Sequence, residues 1–172
     1  MEILNKNIEK LCSFYVSDWH LVTMLLPYIN KQINEKANII TILEKEIEEN
    51  VKTLTKKLNL KKEEEILNLN WGKTNGMKYE EIKEKMQEIR GQDMVNIIFI
   101  NGSKGYIDGT NCNIEKYLEE NVDKYKNVKI KIIDCYEVGD FNFNMIAILH
   151  QHDKILNTSG EKEIGDVFEG YA

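Results

Sequence analysis

Short apolar runs alternate along the chain with segments in which apolar residues recur at helical spacing. The apolar runs are typical of strands buried on both faces of a parallel sheet. The most apolar of them, residues 95–100, is predicted to be a central strand. The full set of predicted strands is residues 11–16, 38–43, 65–71, 95–100, 128–133 and 154–156.

The segments between these runs carry helical patterns. Residues 19–35 place Leu21, Leu25 and Ile29 on one stripe, and Pro27 inside this segment predicts a kink or a break. The sequence from Thr158 to Glu161 fits a capping box that would open the last helix. The predicted helices cover residues 19–35, 44–58, 79–89, 113–122, 142–151 and 161–168.

This alternation of strands and helices predicts an α/β fold. Repeated βαβ units build a mostly parallel sheet with helices on both faces, because each crossover must cover one face. We therefore expect a three-layer αβα fold with about six strands, either RecA-like or Rossmann-like. The length of 172 residues and the absence of a linker-like stretch predict one domain over residues 1–172.

Composition narrows the classes of partner. The net charge is −6 and Arg90 is the one arginine, which argues against direct nucleic-acid binding, since phosphate contacts need a positive surface. No apolar run reaches the ~20 residues needed to cross a bilayer, and the first residues lack the apolar core of a signal peptide. We expect a cytoplasmic protein whose three cysteines are free thiols.

Polar residues follow most of the predicted strands. In a parallel sheet the carboxyl ends of the strands share one edge, where ligands usually bind. Aromatic side chains supply contact area there and a few polar groups set the orientation of a ligand. The competing interpretation is that Asp18, Asn101 and Ser159 cap helices and turns. The predicted ligand-binding residues are Asp18, His20, Trp71, Asn101, Gly102, Cys135, His152, Thr158 and Ser159.

The sequence contains no complete match to a recognised catalytic or metal-binding motif. Gly72-Lys73-Thr74 supplies the second half of a P-loop, but Leu67 stands where the first glycine is required. The glycine-rich stretch 101–105 is either a surface turn or an anion-binding nest. Residues 150–153, His-Gln-His-Asp, show no zinc-site spacing. We therefore predict no cofactor, no metal and no catalytic residue.

Two stretches resemble the MEDS domain, a sensory domain named for methanogens, methylotrophs and a dichloromethane-responsive repressor. The first is Leu11-Cys12-Ser13-Phe14-Tyr15 with Leu21, Leu25, Leu26, Pro27 and Tyr28, and the second is Ile132, Ile133, Cys135 and Tyr136 with His152 and Ile155. Lys10 stands where family members carry a histidine. The resemblance implies a degenerate relative of RecA-like ATPases that has lost its P-loop and serves in signal transduction.

The first hypothesis is therefore a non-catalytic sensory or regulatory domain that binds a small ligand or a partner segment at the strand ends. The resemblance implies a signalling partner, a histidine kinase or a transcription regulator. An alternative is a hydrolase or transferase that acts on a nucleotide or phosphorylated substrate, with residues 101–105 as anion site and His152 as acid or base. A third hypothesis is a structural interaction module that docks through residues 44–58 and 61–65. A homodimer through an exposed helix face stays open.

Overall fold

A computed structural model describes residues 7–91, 93–139 and 144–168, and a six-stranded sheet lies at its centre. The strand order is β2-β3-β4-β1-β5-β6, and all neighbours are parallel except β5 and β6. The predicted α/β fold with a mostly parallel sheet of about six strands is confirmed. The strands are β1 (Ile8–Tyr15), β2 (Asn38–Leu43), β3 (Val95–Gly102), β4 (Lys129–Glu137), β5 (Lys154–Asn157) and β6 (Gly160–Glu163).

Helices cover both faces of this sheet. One face carries α1 (Asp18–Asn34), α2 (Glu48–Leu58) and α3 (Glu63–Leu67), which pack on inward residues such as Ile97 and Ile133. The opposite face packs on Ile98 and Ile132. Its helices are α4 (Tyr79–Met86), α5 (Lys104–Glu120), α6 (Val122–Tyr125), α7 (Met145–His150) and α8 (Ile164–Val167). Alternate residues of the five parallel strands thus enter two separate apolar cores, as a three-layer αβα arrangement requires.

The predicted strand over residues 65–71 is wrong. Residues Glu63–Leu67 form α3, and Trp71 lies in the following loop, where its indole N–H donates to the carbonyl of Ile66 at 2.8 Å. A short apolar run does not by itself distinguish a strand from a buried turn of helix. Three glutamates, Glu63, Glu64 and Glu65, stand in the first turn, where the helix dipole favours negative charge.

The predicted capping box after β5 is also wrong. Thr158 and Ser159 form the turn of a hairpin, in which the Asn157 side chain accepts the Ser159 N–H at 2.8 Å. Gly160 has φ of +99°, a conformation that favours glycine, and Glu161 lies in β6. The sixth strand is therefore antiparallel β6, and the closing helix is the short α8.

Two helix boundaries differ from the predictions. Helix α5 begins at Lys104 rather than at residue 113, because the Ser103 hydroxyl caps it by accepting the Tyr106 N–H at 3.3 Å. Helix α1 continues through Pro27. Residues 142 and 143 of the predicted helix 142–151 lie outside the described residues. None of the helices in the described ranges combines the length and the apolar character that a membrane crossing needs.

Candidate functional site

The carboxyl ends of the five parallel strands form the edge at which a ligand crevice was predicted. Asp18 opens α1 directly beyond this end of β1, and Asn101 and Gly102 end β3. Thr158 and Ser159 follow β5. Trp71 is placed near the end of β2, because its carbonyl accepts the N–H of Ile47 at 3.1 Å. His152 precedes β5 and so does not follow a strand.

Polar side chains along this edge bond mainly to the neighbouring backbone. The Nδ1 atom of His20 accepts the Val16 N–H at 3.0 Å, and the His20 N–H donates to the Ser17 hydroxyl at 3.1 Å. The Asn101 side-chain oxygen accepts the Glu44 N–H at 2.9 Å. These bonds fix the strand-to-helix turns, which is the capping role that competes with ligand binding.

A carboxylate closes the glycine-rich turn between β3 and α5. The Ser103 N–H donates to Oε1 of Glu44 at 2.8 Å, at the amino terminus of α5. Gly102 has φ of +148°, and a Cβ atom there would lie 2.5 Å from the same oxygen. Glu44 therefore supplies the negative charge that the helix dipole favours, at the point where a phosphate would bind in an anion nest.

Four of the predicted ligand-binding side chains belong to residues that are buried in the structure. As whole residues, Trp71 and Asn101 are each 3% exposed, Cys135 is 0% exposed and His152 is 8% exposed. Burial also raises the pKa of Cys135, and it raises the pKa of Cys12 to about 12 with a further contribution from the charge of Asp134. Both thiols are therefore protonated and act as core residues, because a reactive cysteine needs a lowered pKa and an accessible sulfur.

A buried polar cluster, consisting of Lys10, Asn111, Asp134 and His152, lies on the α5 side of the sheet. Oδ2 of Asp134 lies 2.7 Å from Nε2 of His152, and each side chain is 1% exposed. Nδ1 of His152 lies 2.6 Å from the carbonyl oxygen of Ile148. A carbonyl oxygen only accepts, so Nδ1 donates its hydrogen to Ile148, and Nε2 is the ring nitrogen that bonds to Asp134.

Lys10 and Asn111 complete the cluster from two other elements. The Asn111 side-chain amide donates to Oδ1 of Asp134 at 2.9 Å, and the Lys10 ammonium lies 3.5 Å from Oδ2. The pairing of β1 with β4 places Cys12 opposite Asp134. Lys10 lies two residues before Cys12 and therefore on the same face of the sheet, from which its side chain reaches Asp134. The buried carboxylate is thus paired and hydrogen-bonded, as a charge in the core must be.

This cluster is organised for structure rather than for proton transfer to a substrate. Both ring nitrogens of His152 have protein partners, and the ring also packs edge-on against Tyr136 with centroids 6.0 Å apart. A general acid or base must reach the proton that it transfers. The cluster instead joins β1, β4, α5 and the segment before β5.

A cleft lies between α1 and the hairpin of β5 and β6. This cleft, called here the α1 groove, has a volume of about 620 Å³. Its charged and hydroxyl-bearing residues are Tyr28, Lys31, Glu35, Lys131, Thr158, Ser159 and Glu161. Met24, Pro27 and Val95 add apolar surface. Ligand pockets in proteins typically measure ~300–1,000 Å³ and combine these two kinds of surface.

Three side chains meet on the floor of the α1 groove. The ammonium of Lys131 lies 2.6 Å from Oε2 of Glu161, and the Tyr28 hydroxyl donates to the same oxygen. Lys131 is 17% exposed and Glu161 is 21% exposed. The Tyr28 ring packs edge-on against Phe99, which fixes the hydroxyl in place.

Opposing effects set the charge of this floor. Burial disfavours the charged form of Glu161, but the hydrogen bonds from Lys131 and Tyr28 and the charges of Lys131 and Lys154 outweigh it, so the pKa of this carboxyl is lowered. Burial and the neighbouring Glu161 raise the pKa of Tyr28. The floor therefore holds a carboxylate, an ammonium and a neutral phenol near pH 7.

Sequence reasoning identified only one end of the α1 groove. Thr158 and Ser159 were predicted to bind a ligand and line it, whereas Tyr28, Lys131 and Glu161 were missed. One signal in the sequence was available. Lys131 lies two residues before Ile133 and on the same face of β4, so a charged residue interrupts the row of apolar residues on that face. The pairing of Lys131 with Glu161 depends on the hairpin, which the capping-box interpretation had replaced by a helix.

Within the described ranges, no three His, Cys, Asp or Glu side chains are grouped as metal ligands would be. His150 and His152 belong to α7 and to the turn after it, and the His152 ring is already bonded to Asp134.

No protein-family model matches the chain, and no curated protein sequence matches it either. The class that the structure defines is a three-layer αβα domain with a six-stranded, mostly parallel sheet.

Proposed function

We propose that this chain is a non-catalytic sensory or regulatory domain that binds a small ligand in the α1 groove. The observation that carries the proposal is the charged floor formed by Tyr28, Lys131 and Glu161 under a cleft of about 620 Å³. Partly buried charges at the base of a cleft orient a polar ligand because they interact more strongly there than in open water. One end of the groove reaches Thr158 and Ser159, at the carboxyl end of β5.

The likeness to the MEDS sensory domain supports the regulatory part of the proposal. Tyr28 belongs to the Pro-Tyr pair on which that likeness rests, and its hydroxyl lies on the groove floor. By the same likeness, the domain acts on a signalling partner, a histidine kinase or a transcription regulator.

The hairpin offers a route from the ligand to such a partner. Glu161 lies in β6, an edge strand that α8 follows directly. A ligand that competes for the bonds of Glu161 changes how the hairpin is held against α1. Binding then shifts the population of hairpin conformations, and with it the surface that β6 and α8 present to a partner.

The enzyme alternative has less support from the geometry. Its proposed anion site, the turn over residues 101–105, already holds the Glu44 carboxylate. Its proposed acid or base, His152, is buried with both ring nitrogens bonded.

The interaction-module alternative has no specific observation in its favour. Helix α2 is exposed on its outer face, where Lys52 pairs with Glu48 at 3.4 Å. Such pairs are ordinary features of a solvated helix surface.

A ligand screen tests the proposal directly. The purified protein is examined by mass spectrometry for copurified compounds, and a library of polar metabolites is then screened for thermal stabilisation. A ligand at 100 times its dissociation constant adds about 2.7 kcal/mol, which raises the melting temperature by roughly 5–10 °C for a chain of this size.

The variant Tyr28→Phe locates the site, because it removes the groove hydroxyl and keeps the ring. Tyr79→Phe is the matched control, since the Tyr79 hydroxyl also donates to a glutamate, Glu120, at 2.7 Å, but on the opposite face of the sheet. We expect Tyr28→Phe to weaken the stabilisation and Tyr79→Phe to leave it unchanged. The proposal is abandoned if no compound stabilises the protein, or if both variants respond to the ligand as the unmodified protein does.

A further inference from the structure

Four charged residues that line the α1 groove form two pairs. In the closed pair the two side chains bond to each other, and in the open pair neither side chain bonds to a described residue. The closed pair is Lys131 with Glu161 on the floor, at 2.6 Å. The open pair is Lys31, in the last turn of α1, and Glu35, the residue that follows α1, and both are exposed residues that line the groove. Neither Lys31 nor Glu35 makes a side-chain hydrogen bond or an ion pair with any residue that the structure describes.

The open pair has a fixed spacing. Glu35 continues the helical spacing by one residue, because its N–H donates to the Lys31 carbonyl at 3.0 Å, and residues four apart at this spacing lie on the same face with Cβ atoms ~5–6 Å apart. Burial and Glu161 are the main causes that raise the pKa of Tyr28, and the charge of Glu35 adds a smaller contribution, so Glu35 lies near the groove floor. The groove therefore presents a positive and a negative group side by side, above a floor that is itself neutral as a pair.

This pattern selects among charged ligands. A simple carboxylic acid would meet Lys31 favourably but would be repelled by Glu35, and a simple amine would meet Glu35 favourably but would be repelled by Lys31. A neutral polyol would gain nothing from the charges of Lys31 and Glu35. A molecule with a carboxylate and an ammonium on the same carbon atom satisfies both members of the open pair.

We infer that the ligand of the α1 groove is a small zwitterion, a free α-amino acid. Its carboxylate binds Lys31 and its ammonium binds Glu35. The hydroxyl groups of Thr158 and Ser159, at the end of the groove, and the apolar surface of Met24 and Val95 accommodate its side chain. This inference rests on the proposed ligand-binding function and names the class of ligand.

The test compares each common free amino acid with its own decarboxylated amine and its own deaminated carboxylic acid. Binding is measured by thermal stabilisation and by isothermal titration calorimetry on the full chain. We expect at least one amino acid to bind, while its amine and its acid bind at least about tenfold more weakly, since a hydrogen bond to a charged group contributes about 1.5–3 kcal/mol.

Charge-neutralising variants locate the binding groups. Lys31→Gln and Glu35→Gln are each expected to weaken binding of the amino acid at least about tenfold. The matched controls are Lys57→Gln and Glu49→Gln, which neutralise exposed charges on α2 outside the groove. Both controls are expected to bind as the unmodified protein does.

The outcomes separate this inference from the proposed function. If an amine, an acid or a polyol alone binds, and Tyr28→Phe weakens that binding, the zwitterion inference is overturned while the ligand-binding function stands. Amino-acid binding that survives both Lys31→Gln and Glu35→Gln also overturns it. If no compound of any class binds, both the inference and the proposed function are overturned.

Discussion

Removal of the His152 ring should destabilise the fold more than any other single histidine change. In His152→Ala, the buried carboxylate of Asp134 loses a partner at 2.7 Å, and its remaining partners among the described residues are Asn111 and the more distant Lys10. Breaking a buried pair by removal of one partner costs about 3–5 kcal/mol, because an uncompensated charge stays in the core. The same change also removes the ring contact with Tyr136.

The assay is equilibrium unfolding in urea, with the midpoint and the slope compared between variants. A loss of about 3–5 kcal/mol lowers the melting temperature of a domain of this size by roughly 6–20 °C. His20→Ala is the matched control, because the His20 ring makes one hydrogen bond to a backbone N–H and is only partly buried. Loss of that bond should cost about 1 kcal/mol or less.

A double-mutant cycle attributes the effect to the pair itself. In the background of Asp134→Asn there is no buried carboxylate for His152 to compensate, so His152→Ala should cost less there than in the unmodified chain. We expect a coupling energy of about 1.5–3 kcal/mol. The reasoning would be refuted if His152→Ala cost no more than His20→Ala, or if the two changes were additive within about 0.5 kcal/mol.

Three further predictions concern other parts of the structure. Gly102→Ala should destabilise the protein by about 1–3 kcal/mol in urea unfolding, because its φ of +148° is strained for alanine and the added Cβ would meet the Glu44 carboxylate; an unchanged midpoint would contradict this. Because the pKa of Glu161 is lowered on folding, its stabilising contribution is complete above the unfolded-state pKa and is lost as the pH falls through the folded-state pKa. Stability measured from pH 7 down to acid should therefore fall less in Glu161→Gln than in the unmodified chain, and parallel curves would count against the groove electrostatics. A thiol-alkylating reagent should modify exposed Cys112 in the native protein and buried Cys12 only after unfolding, as peptide mass spectrometry would report.

The pattern of apolar residues was sufficient to predict most of the sheet. Residues 38–43 were predicted as a strand with the bounds of β2, and residues 95–100 lie within β3. Both are β-branched or aromatic runs buried on two faces, a local property that the sequence carries directly. Residues 65–71 failed because a short apolar run is compatible with either a strand or a buried helical turn.

The candidate site was less predictable than the fold. The predicted crevice follows from parallel strands, but the side chains of His20 and Asn101 in it bond to the backbone of turns. Capping and ligand binding use the same residue types, so composition does not separate the two roles. Only the partners of each side chain show which role it has.

By itself the sequence determined the alternation of strands and helices, the αβα class and the lack of an intact P-loop, because these depend on residues close together in the chain. The tertiary structure decided which distant residues meet. Lys131 pairs with Glu161, and Asp134 with His152, only because the order of the strands brings β4 near the segments around β5. Strand order is set by packing and crossover connections over the whole chain, and no local pattern of residues encodes it.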